Sequence, residues 1–151
     1  MSYLRGMIIG TTYTKELDKK TIKDIVSLTM MWCSHNMGVN NRRKFKLSLS
    51  VRKQRKKTRM GEYQPINNQL TVFYDNCPVV KDLVTTTIHE YTHYLQPITT
   101  QYYKLYKEFG YDDHPMEIEA VDNEQRLYDI CWEQLSPIIM EHNIIGTQKT
   151  P

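Results

Sequence analysis

Apolar residues recur along this chain in two rhythms, and the changes between them outline the fold. Over 17–37, Ile22, Ile25, Val26, Thr29, Met30 and Cys33 return every three or four residues. That spacing predicts the buried face of a helix, with Thr21-x-x-Asp24 as an internal capping signal and Gly38 as its stop. Over 45–51 the rhythm is two: Phe45, Leu47, Leu49 and Val51 alternate with Lys46, Ser48 and Ser50. This predicts a half-buried strand with one wet, basic face. Strands are also expected over 7–13 and over 69–74. Asp75, Asn76, Cys77 and Pro78 then signal a helix start. Val84, Ile88, Tyr91 and Leu95 form its apolar stripe, and Gln96-Pro97 stops it. A further helix is expected over 101–109, bounded by Gly110, and another over 115–135, opened by Pro115. Ser136-Pro137 is expected to break that helix, leaving 138–145 as a short helix or docked tail. The sum is an α+β fold in a single domain over 1–151: a backing helix, a small mixed sheet and two later helices.

The chemistry lies on the helix after the 69–74 strand. His89, Glu90, Tyr91, Thr92 and His93 read HExxH. Two histidines four apart lie one above the other on a helix, so both imidazoles can reach one ion. They fall off the apolar stripe, beside Thr86. Glu90 can approach a water on that ion without ligating it, which is the zincin arrangement with Glu as general base. Chance would produce this motif in roughly one chain per hundred of such composition, so its surroundings decide its meaning.

The residues after His93 separate the zincin types. A metzincin carries Gly and a third His where this chain has Gln96 and Thr99, and the SprT/Spartan-like group places a third His sooner than His114. HExxH followed by Glu117-x-x-Ala120 resembles the small gluzincins, including ImmA/IrrE-like peptidases and short phage-encoded metallopeptidases. A Gly61-x-Tyr63 segment and a hydrophobic strand before HExxH are similar to the same group over about 44–135. Val121 stands where those families often carry Asp or Asn. The resemblance implies a zincin-like fold with one Zn²⁺ held by His89, His93 and Glu117, with Glu119 as the alternative ligand. It implies a metallopeptidase in which Glu90 activates water against a peptide bond of a protein or peptide substrate. In the small zincins the strand before the active-site helix forms an edge near the cleft. Glu124, seven after Glu117 on the same face, is expected to support a ligating His. For the oxyanion donor such enzymes use His or Tyr; His114 is best placed, with Tyr111, Tyr102 and Tyr103 as alternatives.

Composition adds one complication. The net charge is +3, yet all ten Lys and Arg of 42–59 occur without a single acid, and the remaining ten face seventeen Asp and Glu, a balance of −7. The block reads as a solvated hairpin or loop. Its Arg52, Lys53, Arg55, Lys56, Lys57 and Arg59 could contact nucleic acid or an acidic protein. That keeps two alternatives open: a catalytically silent zincin-fold binding or regulatory module, and a nucleic-acid-associated protease. Cys33, Cys77 and Cys131, odd in number and widely spaced, read as reduced thiols of a cytoplasmic protein, in the host cytoplasm if phage-encoded. No run reaches the ~20 apolar residues of a membrane span, and Met7, Ile8 and Ile9 are too few for a signal peptide.

Overall fold

The computed structural model describes residues 7–54, 58–97 and 99–148. Four α-helices and a three-stranded mixed sheet make up an α+β architecture. Helix α1 (Lys19–Met37) starts at Asp18, whose carboxylate accepts the Thr21 N–H at 2.7 Å. This cap, one turn upstream of Thr21-x-x-Asp24, satisfies one of the amide donors left over at any helix start. Gly38, at φ +93°, ends it. Ile22, Ile25, Val26, Thr29 and Cys33 are buried, and Trp32 joins them.

Strands β1 (Ser48–Arg52), β2 (Gly61–Gln64) and β3 (Gln69–Phe73) lie in the order β1-β3-β2. β1 runs parallel to β3, with Ser48 opposite Gln69. β2 runs antiparallel, with Gly61 opposite Val72 and Gln64 opposite Gln69. Two expectations change. The basic 42–59 segment is not a hairpin, because β1 and β2 sit on opposite sides of β3; the hairpin is β2–β3. The strand that precedes the HExxH helix is the centre of the sheet, and β1 and β2 are its edges. Accordingly β3 is the most deeply buried strand, with Leu70, Thr71 and Val72 at 0% exposure.

The first strand expected over 7–13 does not form. Of its apolar opening only Ile8 is buried, while Met7 and Ile9 are half exposed. Thr12 turns back on Ile9. The carbonyls of Gly10 and Thr12 then accept the N–H groups of Lys81 and Val80, each at 2.9 Å. These are among the first amides of α2 (Val80–Leu95), which no earlier helical turn can satisfy. Its start is finished by Asp82, whose carboxylate accepts from Val79 N–H. The segment therefore works as a helix cap, with one bridge between Tyr13 and Val79.

Helix α2 is the middle of the molecule and touches α1, α4, β2 and β3. Val84, Ile88 and Tyr91 are fully buried and Leu95 partly so. The helix ends at Gln96. Helix α3 (Thr99–Phe109) follows and ends at Gly110, φ +75°. Helix α4 (Pro115–Gln148) runs through Pro137 instead of breaking there. Proline removes one helical donor and crowds the preceding turn, but Leu135 and Ile139 on either side are 5% and 3% exposed. Tertiary burial outweighs the local defect. On α4, Glu117, Ala120, Glu124, Tyr128, Cys131, Leu135 and Ile139 follow at spacings of three and four, so one stripe runs from the acidic end into the core. Among the described residues no helix is long and apolar enough to cross a membrane.

Candidate metal centre

Helix α2 presents His89 and His93 on one side, their rings 5.0 Å apart and steeply inclined. One donor atom each from His89, Glu90 and His93 lies within 4.8 Å of the others. Ala120, at 0% exposure on α4, has too little side chain to hold that helix away. Glu117, one turn earlier, reaches the histidines with both oxygens. Oε2 lies 3.1 Å from His89 Nε2, and Oε1 lies 3.1 Å from His93 Nε2. Such separations are close to the ~3.3 Å ligand–ligand edges of a tetrahedral zinc site with ~2.0–2.1 Å arms.

The far nitrogens are also engaged. His89 Nδ1 lies 3.0 Å from Glu124 Oε1, and His93 Nδ1 lies 2.6 Å from Gln96 Oε1. Both partners are acceptors, so each Nδ1 donates outward; each Nε2, which donates to Glu117 when protonated, offers its lone pair towards the centre once that proton is released. Outer carboxylate and carbonyl partners of this kind are characteristic of ligating histidines. Gln96 is itself held by its amide nitrogen, which donates to Met116 C=O at 2.8 Å and to Glu119 at 3.0 Å. Glu119 therefore faces Gln96 and not the imidazoles. No motif marks Gln96 as a site residue, although its place three residues after His93 on the same helix face could have revealed it.

The charges reinforce this arrangement. Burial pulls His89 down, but hydrogen bonds to Glu117 and Glu124 outweigh it and push the imidazole up to about 10 from 6.5. His93 moves upward too, burial again being outweighed by Glu117 and Glu90. Burial would raise Glu117, yet His89, His93 and Tyr102 hold it well below the usual carboxylate range. Glu90 goes the other way: burial lifts it against the pull of both histidines.

These directions fix a pH dependence. A raised imidazole stabilises the fold fully below its unfolded pKa of 6.5 and loses that contribution as pH climbs through about 10. The depressed Glu117 contributes above its ordinary 4.5, and that contribution is lost only as pH falls through its lowered value. Protein stripped of metal should therefore melt lower at pH 10 than at pH 7, and His89→Ala should flatten that slope. A melting curve independent of pH over this window in the unsubstituted protein would contradict the arrangement. Because a ligand nitrogen must be unprotonated, Zn²⁺ uptake should release protons near pH 7.

Strand β2 passes close over Glu90. A Cβ built on Gly61 would lie 2.6 Å from Thr86 Cγ2, 2.8 Å from the Thr71 carbonyl oxygen and 3.2 Å from Glu90 Cγ. The Thr71 contact is backbone of the neighbouring strand, so it cannot swing aside. Gly61→Ala should lower stability by about 1–3 kcal/mol, the usual cost of overpacking, read as a drop in melting temperature. An unchanged melting temperature would mean that the strand has room.

The remaining candidates fall into three groups. His114 is completely buried at the start of α4. Its Nδ1 accepts the Met116 N–H at 3.1 Å and its Nε2 donates to Tyr102 C=O at 2.8 Å, which leaves neither nitrogen for a substrate oxyanion. This corrects the expectation that it is the donor. Tyr102 donates its hydroxyl to Glu117 Oε1 at 2.7 Å and is likewise committed. Tyr103 is 62% exposed. Tyr111 keeps an exposed ring, and its hydroxyl is pushed up to about 12 by burial and then by the charges of Glu117 and Glu90.

The basic block is more structural than its composition suggests. The Arg43 guanidinium donates to Tyr94 C=O at 3.1 Å and Gln96 C=O at 3.0 Å, closing the C-terminal end of α2 just behind His93. Arg52 and Arg59 flank Glu62 at 3.8 and 3.6 Å. Lys53 is exposed beyond β1, and Arg55, Lys56 and Lys57 lie outside the described residues. No protein-family model, curated protein or solved structure matches this chain.

Proposed function

We propose that this chain is a zinc-dependent metallopeptidase of the small gluzincin kind, with a zincin-like fold and one Zn²⁺ held by His89, His93 and Glu117. The observation that carries this reading is the convergence of both imidazole Nε2 atoms on the two oxygens of Glu117, at 3.1 Å each. Glu124 and Gln96 on the opposite nitrogens support it. When bound, the ion would lower the pKa of a water towards ~7 and polarise a substrate carbonyl.

The chain supplies the rest. Glu90 sits beside His89 on the ligand side of α2, and its raised pKa suits a group that takes a proton from the attacking water and returns it to the leaving amine. With His114 and Tyr102 committed to other partners, Tyr111 and Tyr103 remain as candidate donors to the oxyanion. The outer edge of β2, close over Glu90, is the edge to which an extended peptide would add by main-chain hydrogen bonds. Metal analysis of the purified protein tests the proposal: about one zinc per chain is expected, and a protein that takes up no divalent ion would end it.

A further inference from the structure

Among the described residues, helix α3 meets the candidate metal centre through Tyr102. Tyr103, Tyr106 and Phe109 leave this helix exposed, whereas Tyr102 turns inward. Its hydroxyl donates to Glu117 Oε1 at 2.7 Å, and its ring stands edge-on to His93 with centroids 6.0 Å apart. On its other side the ring lies against His114, with centroids at 4.1 Å. His114 also grips the Tyr102 carbonyl and the Met116 amide, so its imidazole ties α3 to the first turn of α4.

We propose that Tyr102 is a positioning residue for the metal centre: it docks α3 on Glu117 and fixes the rotation of that carboxylate, with His114 acting through it. This rests on Glu117 being a ligand, as argued above. A glutamate carboxylate turns easily about its last bond, where the torsional preference is broad. Both oxygens of Glu117 must nevertheless face two imidazoles on another helix. The two Nε2 atoms define where those oxygens go when no ion competes for them, but an ion takes the Nε2 lone pairs for itself. A donor from a third element keeps the carboxylate in place, and the Tyr102 hydroxyl is that donor. Each ligand then has its own support: Glu124 for His89, Gln96 for His93 and Tyr102 for Glu117.

Tyr102→Phe removes the hydroxyl and keeps the ring against His114. Chelator competition should show Zn²⁺ binding 10–100-fold weaker, the usual cost of losing an outer partner. Hydrogen exchange in metal-stripped protein should show the α3 amides exchanging faster. Tyr103→Phe is the control and should change neither. His114→Asn keeps a side chain able to cap α4 and loses the ring contact, so it too should weaken Zn²⁺ binding. Combining it with Tyr102→Phe should cost less than the two losses added together. Unchanged Zn²⁺ affinity in Tyr102→Phe, or strictly additive losses, would overturn the proposal. If the unsubstituted protein binds no Zn²⁺, the metal reading and the positioning role fall together, while unchanged α3 exchange in Tyr102→Phe would refute the docking itself.

Discussion

Glu117→Ala is expected to abolish stoichiometric zinc binding, with a loss beyond the roughly 10–100-fold typical of an outer partner. Glu119→Ala should cost far less. The two residues sit two apart on α4, and a helix turns about 200° between them, so they cannot serve one point. Glu117 faces both imidazoles, whereas Glu119 accepts from the Gln96 amide. Its removal leaves Gln96 held by Met116 C=O and His93 still bonded to Gln96. Metal titration of the two variants side by side reads the difference. If Glu119→Ala releases zinc as readily as Glu117→Ala, the assignment of the third ligand is wrong.

Glu90→Gln separates metal binding from catalysis. The amide has nearly the shape of the carboxylate but cannot take up a proton at neutral pH. Zinc content should stay at the unsubstituted level, and peptide hydrolysis should fall by about 10²–10⁴, the range for loss of a positioned acid–base group. A peptide library followed by mass spectrometry serves as the assay, since it detects cleavage in any of the sequences it contains. A variant that holds zinc and cleaves at the unsubstituted rate would remove Glu90 from the chemistry. If the variant loses zinc as well, Glu90 acts as a ligand, and the four-residue cluster needs a different proton acceptor.

Local pattern was informative where one helix face or one strand decides everything. The stripe Val84, Ile88, Tyr91 and Leu95, closed by Gln96-Pro97, outlines α2 because period and stop signal agree. Glu117 and Glu124 share a face by arithmetic alone, and the structure brings both to His89. What pattern cannot express is pairing between distant segments. β1 and β3 are parallel neighbours separated by the whole of β2, and nothing in either segment says so. The same holds for Gly10 and Thr12, whose carbonyls go to the amides of α2 instead of to a strand. Pro137 misleads for a related reason, because the packing that carries α4 past it comes from α1 and α2, not from its sequence neighbours. His114 looked catalytic because it is a histidine ahead of a ligand helix, yet it does the work of a helix cap.

The unbroken stripe on α4 has a consequence for how this centre tolerates change. Its apolar end, from Tyr128 to Ile139, sets the helical phase, and its acidic end inherits that phase across about 33 Å of rod, at 1.5 Å per residue from Glu117 to Ile139. One residue added or lost in the turn between Glu124 and Tyr128 would rotate Glu117 by about 100° relative to the core and draw it off the imidazoles without disturbing a single residue of the HExxH helix. A change of length should therefore be tolerated in the loops and not within this stretch of α4: a helix that carries none of the motif keeps time for it.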